Sequence, residues 1–283
     1  MYLISSLERA RALDRLVGPA QRAARLLRPG RVRDALHGVW LGHPLHPVLA
    51  QAPAGTWLSA SLLDAWPGSS PGTAAASRRL VLAGLAAALP AALAGSADWS
   101  ELHEQQMRVG VVHALANTAA VALYAASLAA PDRAARGLRL AGLTAVAAGG
   151  LLGGHLAFRQ SAGANQAEPV PHLTEPGWHD LMTAAELAGL AAGQPARRRL
   201  GDVPVVVIRD EQGVYVLADR CSHLSGPLSE GDYRDGCLTC PWHGSIFRIS
   251  DGTVARGPAT APQPVFRTRI ADENLQACLP GAG

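Results

Sequence analysis

Four side chains stand out as able to do chemistry together. Cys221-Ser-His223 is followed, 16 residues later, by Cys240-Pro-Trp-His243-Gly-Ser245. Two thiols and two imidazoles, spaced C-x-H and C-x2-H on two loops, can converge on one metal centre. Two chemistries use such a set. A structural zinc ion takes all four ligands on one tetrahedral centre. A 2Fe–2S cluster takes two thiolates on one iron and two imidazoles on the other; the neutral imidazoles leave it less negative and easier to reduce. Gly244 permits close backbone approach to a bridging sulfide. Ser245 offers a hydroxyl that can donate to the cluster and raise its potential. A variant pair, Cys237-x2-Cys240, is also present. In an extended segment those two side chains point to opposite faces, so Cys237 reads as a buried thiol, and Cys278, in a later strand, as core.

Strands must carry these loops. Residues 203–208 and 214–218 read as strands around a turn at 210–213, a hairpin pattern. Residues 245–249 and 253–254 flank Asp251-Gly252, a second hairpin signal. Residues 265–270 and 275–279 read as closing strands. With Trp178 as its start, the segment 178–283 has the composition of a small all-β domain, and 159–177, rich in Pro, Gly and polar residues, reads as a linker.

The segment 178–283 resembles the Rieske 2Fe–2S family. The resemblance rests on Trp178, Glu186-Leu187, the two boxes CSHLSGPLSEG and CPWHGSIF, and Gly257-Pro258-Ala259, which matches the proline loop that covers the cluster in that family. It implies that Cys221 and Cys240 ligate one iron and His223 and His243 the other, with Gly244, Ser245 and Pro258 around the cluster. It weighs against zinc, which needs neither HGS nor a proline loop. The sequence departs from the cytochrome bc class. The extra loop cysteines of that class are replaced by Leu224 onward and by Trp242, and Phe247 stands where a Tyr is usual. The expected potential is therefore in the lower half of the family's range of about −150 to +300 mV. A Rieske oxygenase also needs a mononuclear iron on two His and a carboxylate. Only 40 residues follow His243, none of them histidine, so no organic-substrate site is expected here.

The remaining chain is of a different kind. Overall, 283 residues carry a net charge of +3, with 48% hydrophobic, 5% aromatic and 17% charged residues. All 25 basic residues are arginine. Such apolar content excludes global disorder. Four cysteines exclude a disulfide-built scaffold, and the small net charge argues against nucleic acid as the main partner. Residues 80–97, 109–130 and 140–158 carry no charge, and 47–65 is a weaker apolar run. Runs of about 18 or more such residues are long enough to cross a bilayer. Trp66 and Trp99 flank them as interfacial aromatics do, and Gly149, Gly150, Gly153 and Gly154 form small-xxx-small steps. The expectation is a four-helix transmembrane domain over 47–158. Residues 1–46 hold eight arginines, with Leu3, Leu7, Leu13, Leu16 and Val17 at helical spacing, a basic amphipathic arm on an anionic membrane surface. Arginine asymmetry, ten against five, places the arm and the 178–283 domain in the cytoplasm.

The segment opening HPLHPVLAQAPAGTW resembles a family of four-helix bacterial membrane domains that brings no established activity. In an up-down bundle His46, His103, His113 and His155 share one membrane face, the face that carries the 178–283 domain. Ionisable residues inside spans are functional candidates. Two readings stay open: His113 and His155 hold a haem b or line a quinone site, or they hydrogen-bond between helices, with Asn117 and Asp98 among the partners. The whole reads as an α + β multidomain, multi-pass bacterial cell-membrane protein, a Rieske one-electron carrier whose partner is a quinone or a redox protein. Its rivals are a tethered ferredoxin of an oxygenase or reductase system, and a membrane redox sensor.

Overall fold

The computed structural model describes residues 2–68 and 70–280, apart from the side chains of Tyr2 and Leu3. The Leu3 position of the apolar stripe and residues 281–283 of the expected C-terminal domain therefore lie outside the described residues. The chain divides into two compact units, residues 1–28 with 44–162, and residues 29–43 with 163–283.

The first unit is helical. Helices α1 (Tyr2–Arg9) and α2 (Asp14–Ala24) come from the arm; α3 (Arg31–His37) belongs to the second unit. Four long helices follow: α4 (His46–Ala65), α5 (Pro71–Trp99), α6 (Glu104–Ser127) and α7 (Asp132–Gly154), the last running into a π-helical turn, His155–Arg159. Helix α5 starts where Ser70 and Thr73 cap each other and Pro71 fills the first helical position, whose N–H has no intrahelical partner in any case. Three helical stretches, Pro71–Trp99, Glu104–Ser127 and Asp132–Arg159, are long and apolar enough to cross a membrane. Helix α4, over the weaker run, is not among them. Leu82, Leu89, Leu93, Leu115, Leu140 and Leu151 are all at least half exposed on these helices, leaving apolar surface that water does not favour.

The helices of this unit meet through an apolar cluster of Trp57, Ala60, Val81, Ala120 and Tyr124, crossed by polar ties. Trp57 stacks on Tyr124 at 4.5 Å and donates its indole N–H to Val81 O. Asp64, near the end of α4, meets Arg139 with both carboxylate oxygens 3.0 Å from Nη1, and Arg139 also donates to Ser77 Oγ at 2.7 Å. Gly142, Gly149 and Gly153 of α7 make room for side chains of α6. A Cβ on Gly149 would lie 2.7 Å from the Asn117 amide, and one on Gly153 would lie 3.2 Å from the His113 ring. At the other end, Arg108 of α6 bonds both carboxylate oxygens of Asp14 at 2.7 and 3.0 Å.

Besides α3, the second unit holds helices α8 (Val170–Leu173) and α9 (Ala184–Gly189) and, among the described residues, ten strands. These are β1 (His179–Thr183), β2 (Ala196–Leu200), β3 (Val203–Arg209), β4 (Val214–Ala218), β5 (Asp232–Arg234), β6 (Cys237–Thr239), β7 (Ile246–Arg248), β8 (Val254–Arg256), β9 (Val265–Ala271) and β10 (Asn274–Cys278). They form two antiparallel sheets, β1-β10-β9-β4-β3-β2 and β5-β6-β7-β8. Strand β3 is buried along its length because one face packs on Met182, Leu200, Val216 and Leu275 and the other on Leu217, Leu238 and Phe247. Two stretches that composition set apart pack within this unit. From Gly163 onward the expected linker belongs to it, with Ala167 and Val170 buried. So does the arm segment 29–43, where Arg33 and His37 are buried.

Candidate metal centre

The four expected ligands sit on two loops of the second unit, one after β4 and one between β6 and β7. The two loops are copies of one turn. The N–H of Cys221 donates to Gly226 O at 2.9 Å, and the N–H of Cys240 donates to Ser245 O at 2.8 Å. Four residues after each cysteine the N–H returns to the cysteine carbonyl, from Ser225 at 2.9 Å and from Gly244 at 3.1 Å. That residue is left-handed in both loops, with φ of 65° at Ser225 and 72° at Gly244. Gly244 is glycine for this reason. A Cβ there would meet nothing of the chain within 4 Å, so the backbone angle, rather than crowding by the chain, constrains it.

The repeated turn does chemical work. In each loop the backbone N–H groups two and three residues after the cysteine favour its thiolate form: His223 and Leu224 at Cys221, Trp242 and His243 at Cys240. The Cys221 thiol also donates to the Cys240 sulfur. That bond lowers Cys240 to about 7 and, with burial, pushes Cys221 well above the thiol range. Both sulfurs are buried. The imidazoles pair in turn: the His223 and His243 rings lie 5.0 Å apart at 87°. The donor set thus splits into a sulfur pair and a nitrogen pair. Among the described residues no group of three or more His, Cys, Asp or Glu side chains is placed to hold one ion. Two pairs suit two irons, and amide donors to sulfur are one of the levers that set an iron–sulfur potential. Gly226 completes the cradle, since a Cβ on it would lie 2.9 Å from Cys240 Sγ and 3.0 Å from Trp242.

A model of the Rieske [2Fe-2S] domain matches residues 177–267. The anthranilate 1,2-dioxygenase ferredoxin subunit of Burkholderia cepacia is 34% identical over 99 residues, which is 35% of this chain and 89% of that protein. This chain belongs to the Rieske [2Fe-2S] family. Ferredoxin CarAc of Metapseudomonas resinovorans is 34% identical over 74 residues, 26% of this chain and 69% of its own length. Among solved structures, the ferredoxin of carbazole 1,9a-dioxygenase from Nocardioides aromaticivorans IC177 is similar at 21% identity and a TM-score of 0.33, covering 38% of this chain and 99% of that one. The C-terminal domain is a Rieske-type ferredoxin electron carrier, and the helical region before it lies outside the matched residues.

Around the Rieske loops the structure adds residues that motif reading missed. Buried Asp219 accepts from Ser229 N at 2.6 Å and pairs with Arg197 at 3.3 Å. Buried Gln263 accepts from Ser222 N at 3.1 Å and donates to Ala218 O at 2.8 Å. Polar residues in a loop of ordinary composition give no sequence signal of such ties. Ser245, expected to donate to the cluster, is buried and accepts from Ala259 N at 2.9 Å, so it holds the Pro258 loop while its own proton stays available to donate. Phe247 is fully buried. Cys237 and Cys278 are half-buried and outside the centre.

The bundle histidines are elsewhere. In His113, Nδ1 bonds Gly149 O at 2.8 Å and Nε2 faces the Asn117 amide at 3.2 Å. In His155, Nε2 meets Glu8 Oε1 at 2.7 Å. Each ring is thus tied to a neighbouring helix of its own unit, His113 to α7 and His155 to α1, and a haem or quinone finds no support.

Proposed function

We propose that this protein is a membrane-anchored Rieske ferredoxin that delivers electrons one at a time to a redox partner protein. The observation that carries the reading is the duplicated loop, which aims four amide donors at two buried sulfurs and sets two imidazoles beside each other. Cys221, His223, Cys240 and His243 would hold a 2Fe–2S cluster, which supplies reversible one-electron chemistry when bound. Burial of Cys221 and Cys240 keeps the sulfurs away from water, and Ser245 holds the Pro258 loop beside them. Trp242, half exposed beside His243, would give a partner an apolar contact next to an iron ligand. Named relatives are ferredoxin parts of dioxygenases, which supports an oxygenase or reductase component as that partner.

The three apolar helices support anchoring. The helix-to-helix bonds of His113 and His155 support an anchoring role for the bundle rather than a second redox centre. The test is EPR and optical spectroscopy on the protein purified from membranes, oxidised and then reduced. The expected result is a Rieske-type signal, reducible by one electron, without haem absorption. A zinc-containing protein with no such signal, or recovery in the soluble fraction without detergent, would overturn the corresponding half of the reading.

A further inference from the structure

We propose that the arm segment 29–43 is a latch on the loop that covers the cluster, with Asp34 as its positioning residue. The covering loop, Gly257-Pro258-Ala259, is held by the two amides on either side of Pro258. One is the N–H of Ala259, which donates to Ser245 Oγ at 2.9 Å from within the Rieske domain. The other is the N–H of Gly257, which donates to Asp34 Oδ1 at 3.1 Å, 223 residues away in the chain. Contact extends beyond that bond. A Cβ on Gly257 would lie 3.0 Å from Val39, 3.3 Å from Asp34 and 3.5 Å from His37. Gly257 is buried, as are His37 and Arg33. Helix α3 presents these residues together because Arg33 donates to His37 one turn on, at 3.3 Å. Gly38, left-handed at φ 83°, then turns the chain so that Val39 also reaches the loop.

The Rieske model begins at residue 177, so the latch lies outside the matched domain. Its consequence for the cluster is twofold. A loop pinned at both amides opens less often, which protects the sulfurs from water and chelators. A carboxylate beside that loop also places negative charge near the cluster, which disfavours adding an electron. The segment is joined by chain at both ends to the helical unit, and the latch requires it to lie on the same side of any membrane as the covering loop.

The test uses the full-length protein in detergent with two variants, Asp34→Ala and Asp34→Asn. Asn keeps an acceptor oxygen of the same shape without the charge. Asp34→Ala should raise hydrogen exchange at the Gly257 amide, and the rate of cluster bleaching by a chelator, about ten-fold, the loss expected for one hydrogen bond to a charged group. Asp34→Asn should leave both near wild type and shift the midpoint potential upward. An Asp34→Ala chain that fails to fold while Asp34→Asn is native also supports the latch. Wild-type exchange at Gly257 in Asp34→Ala, or equal loss of protection in both variants, overturns it. An unshifted potential in Asp34→Asn overturns the electrostatic part. Amide exchange is read without the cluster, so failure of the latch and failure of the iron–sulfur reading are distinguishable.

Discussion

The two units use polar side chains for opposite ends. In the helical unit they tie helices to each other: Asp64 to Arg139, His113 to Gly149 O, Trp57 to Val81 O. In lipid, helices in general have little hydrophobic reason to associate, and polar contacts and small-residue notches hold them. In the Rieske unit an apolar core on both faces of β3 holds the fold. Polar groups there are freed to shape two loops and aim their amides at sulfur. Stability and chemistry are carried by different residues in the second unit. In the first, the polar residues singled out as functional candidates join an apolar cluster in holding it together.

The sharpest test of that division is to remove a ligand. Cys240→Ser should abolish the Rieske EPR signal entirely while the helical circular dichroism of the purified protein stays as in wild type. Loss of the helical unit as well would mean the two are not separable. Next in size, Arg139→Met strips the partner from the carboxylate of Asp64, whose side chain is only 11% exposed. It should cost about 3–5 kcal/mol in a detergent unfolding titration, as removing one member of a buried pair does. The double change with Asp64→Leu should recover most of that, and neither should move the cluster signal. A shifted EPR spectrum in either would break the comparison.

Smaller effects probe the duplicated loop. Gly244→Ala forces an L side chain into the left-handed region, at a cost of about 1–2 kcal/mol, visible in the thermal midpoint of the Rieske domain. Ser225→Gly relieves the same conformation in the sister loop and should be neutral or slightly stabilising. Opposite signs at equivalent positions would establish that the two loops are energetic as well as geometric copies. The smallest effect is at the surface of the same domain. Tyr233 donates to Asp210 Oδ2 at 2.7 Å and, with the amides of Gln212 and Gly213, holds that carboxyl below its usual range. A depressed carboxylate contributes stability above its unfolded pKa of about 3.9, and the contribution is lost as pH falls through the lower folded value. Tyr233→Phe should therefore destabilise at pH 7 by under about 1 kcal/mol, given the exposure of the pair. The difference from wild type should vanish at strongly acidic pH. A difference that persists there would mean packing, not charge, is what Tyr233 supplies.

How much was legible beforehand follows from the range of the forces involved. Ligand types and their spacing, C-x-H and C-x2-H, named the cluster from sequence, because metal chemistry restricts which side chains can serve. Strands 214–218 and 265–270 were legible from alternation and turn residues, and the structure places them at Val214–Ala218 and Val265–Ala271. Uncharged runs marked the three apolar helices for the same local reason. What the sequence could not convey is long-range. That the two loops are one turn used twice is hidden because the histidine falls two residues after one cysteine and three after the other. Equivalence resides in backbone angles, which Ser225 and Gly244 reach by different routes. That Asp64 answers Arg139, and that Asp34 reaches Gly257, are pairings across 75 and 223 residues. An isolated charge in a chain carries no record of its partner. Composition by itself determined what each segment is suited to; only packing decided which segments meet, because that choice depends on burying both at once.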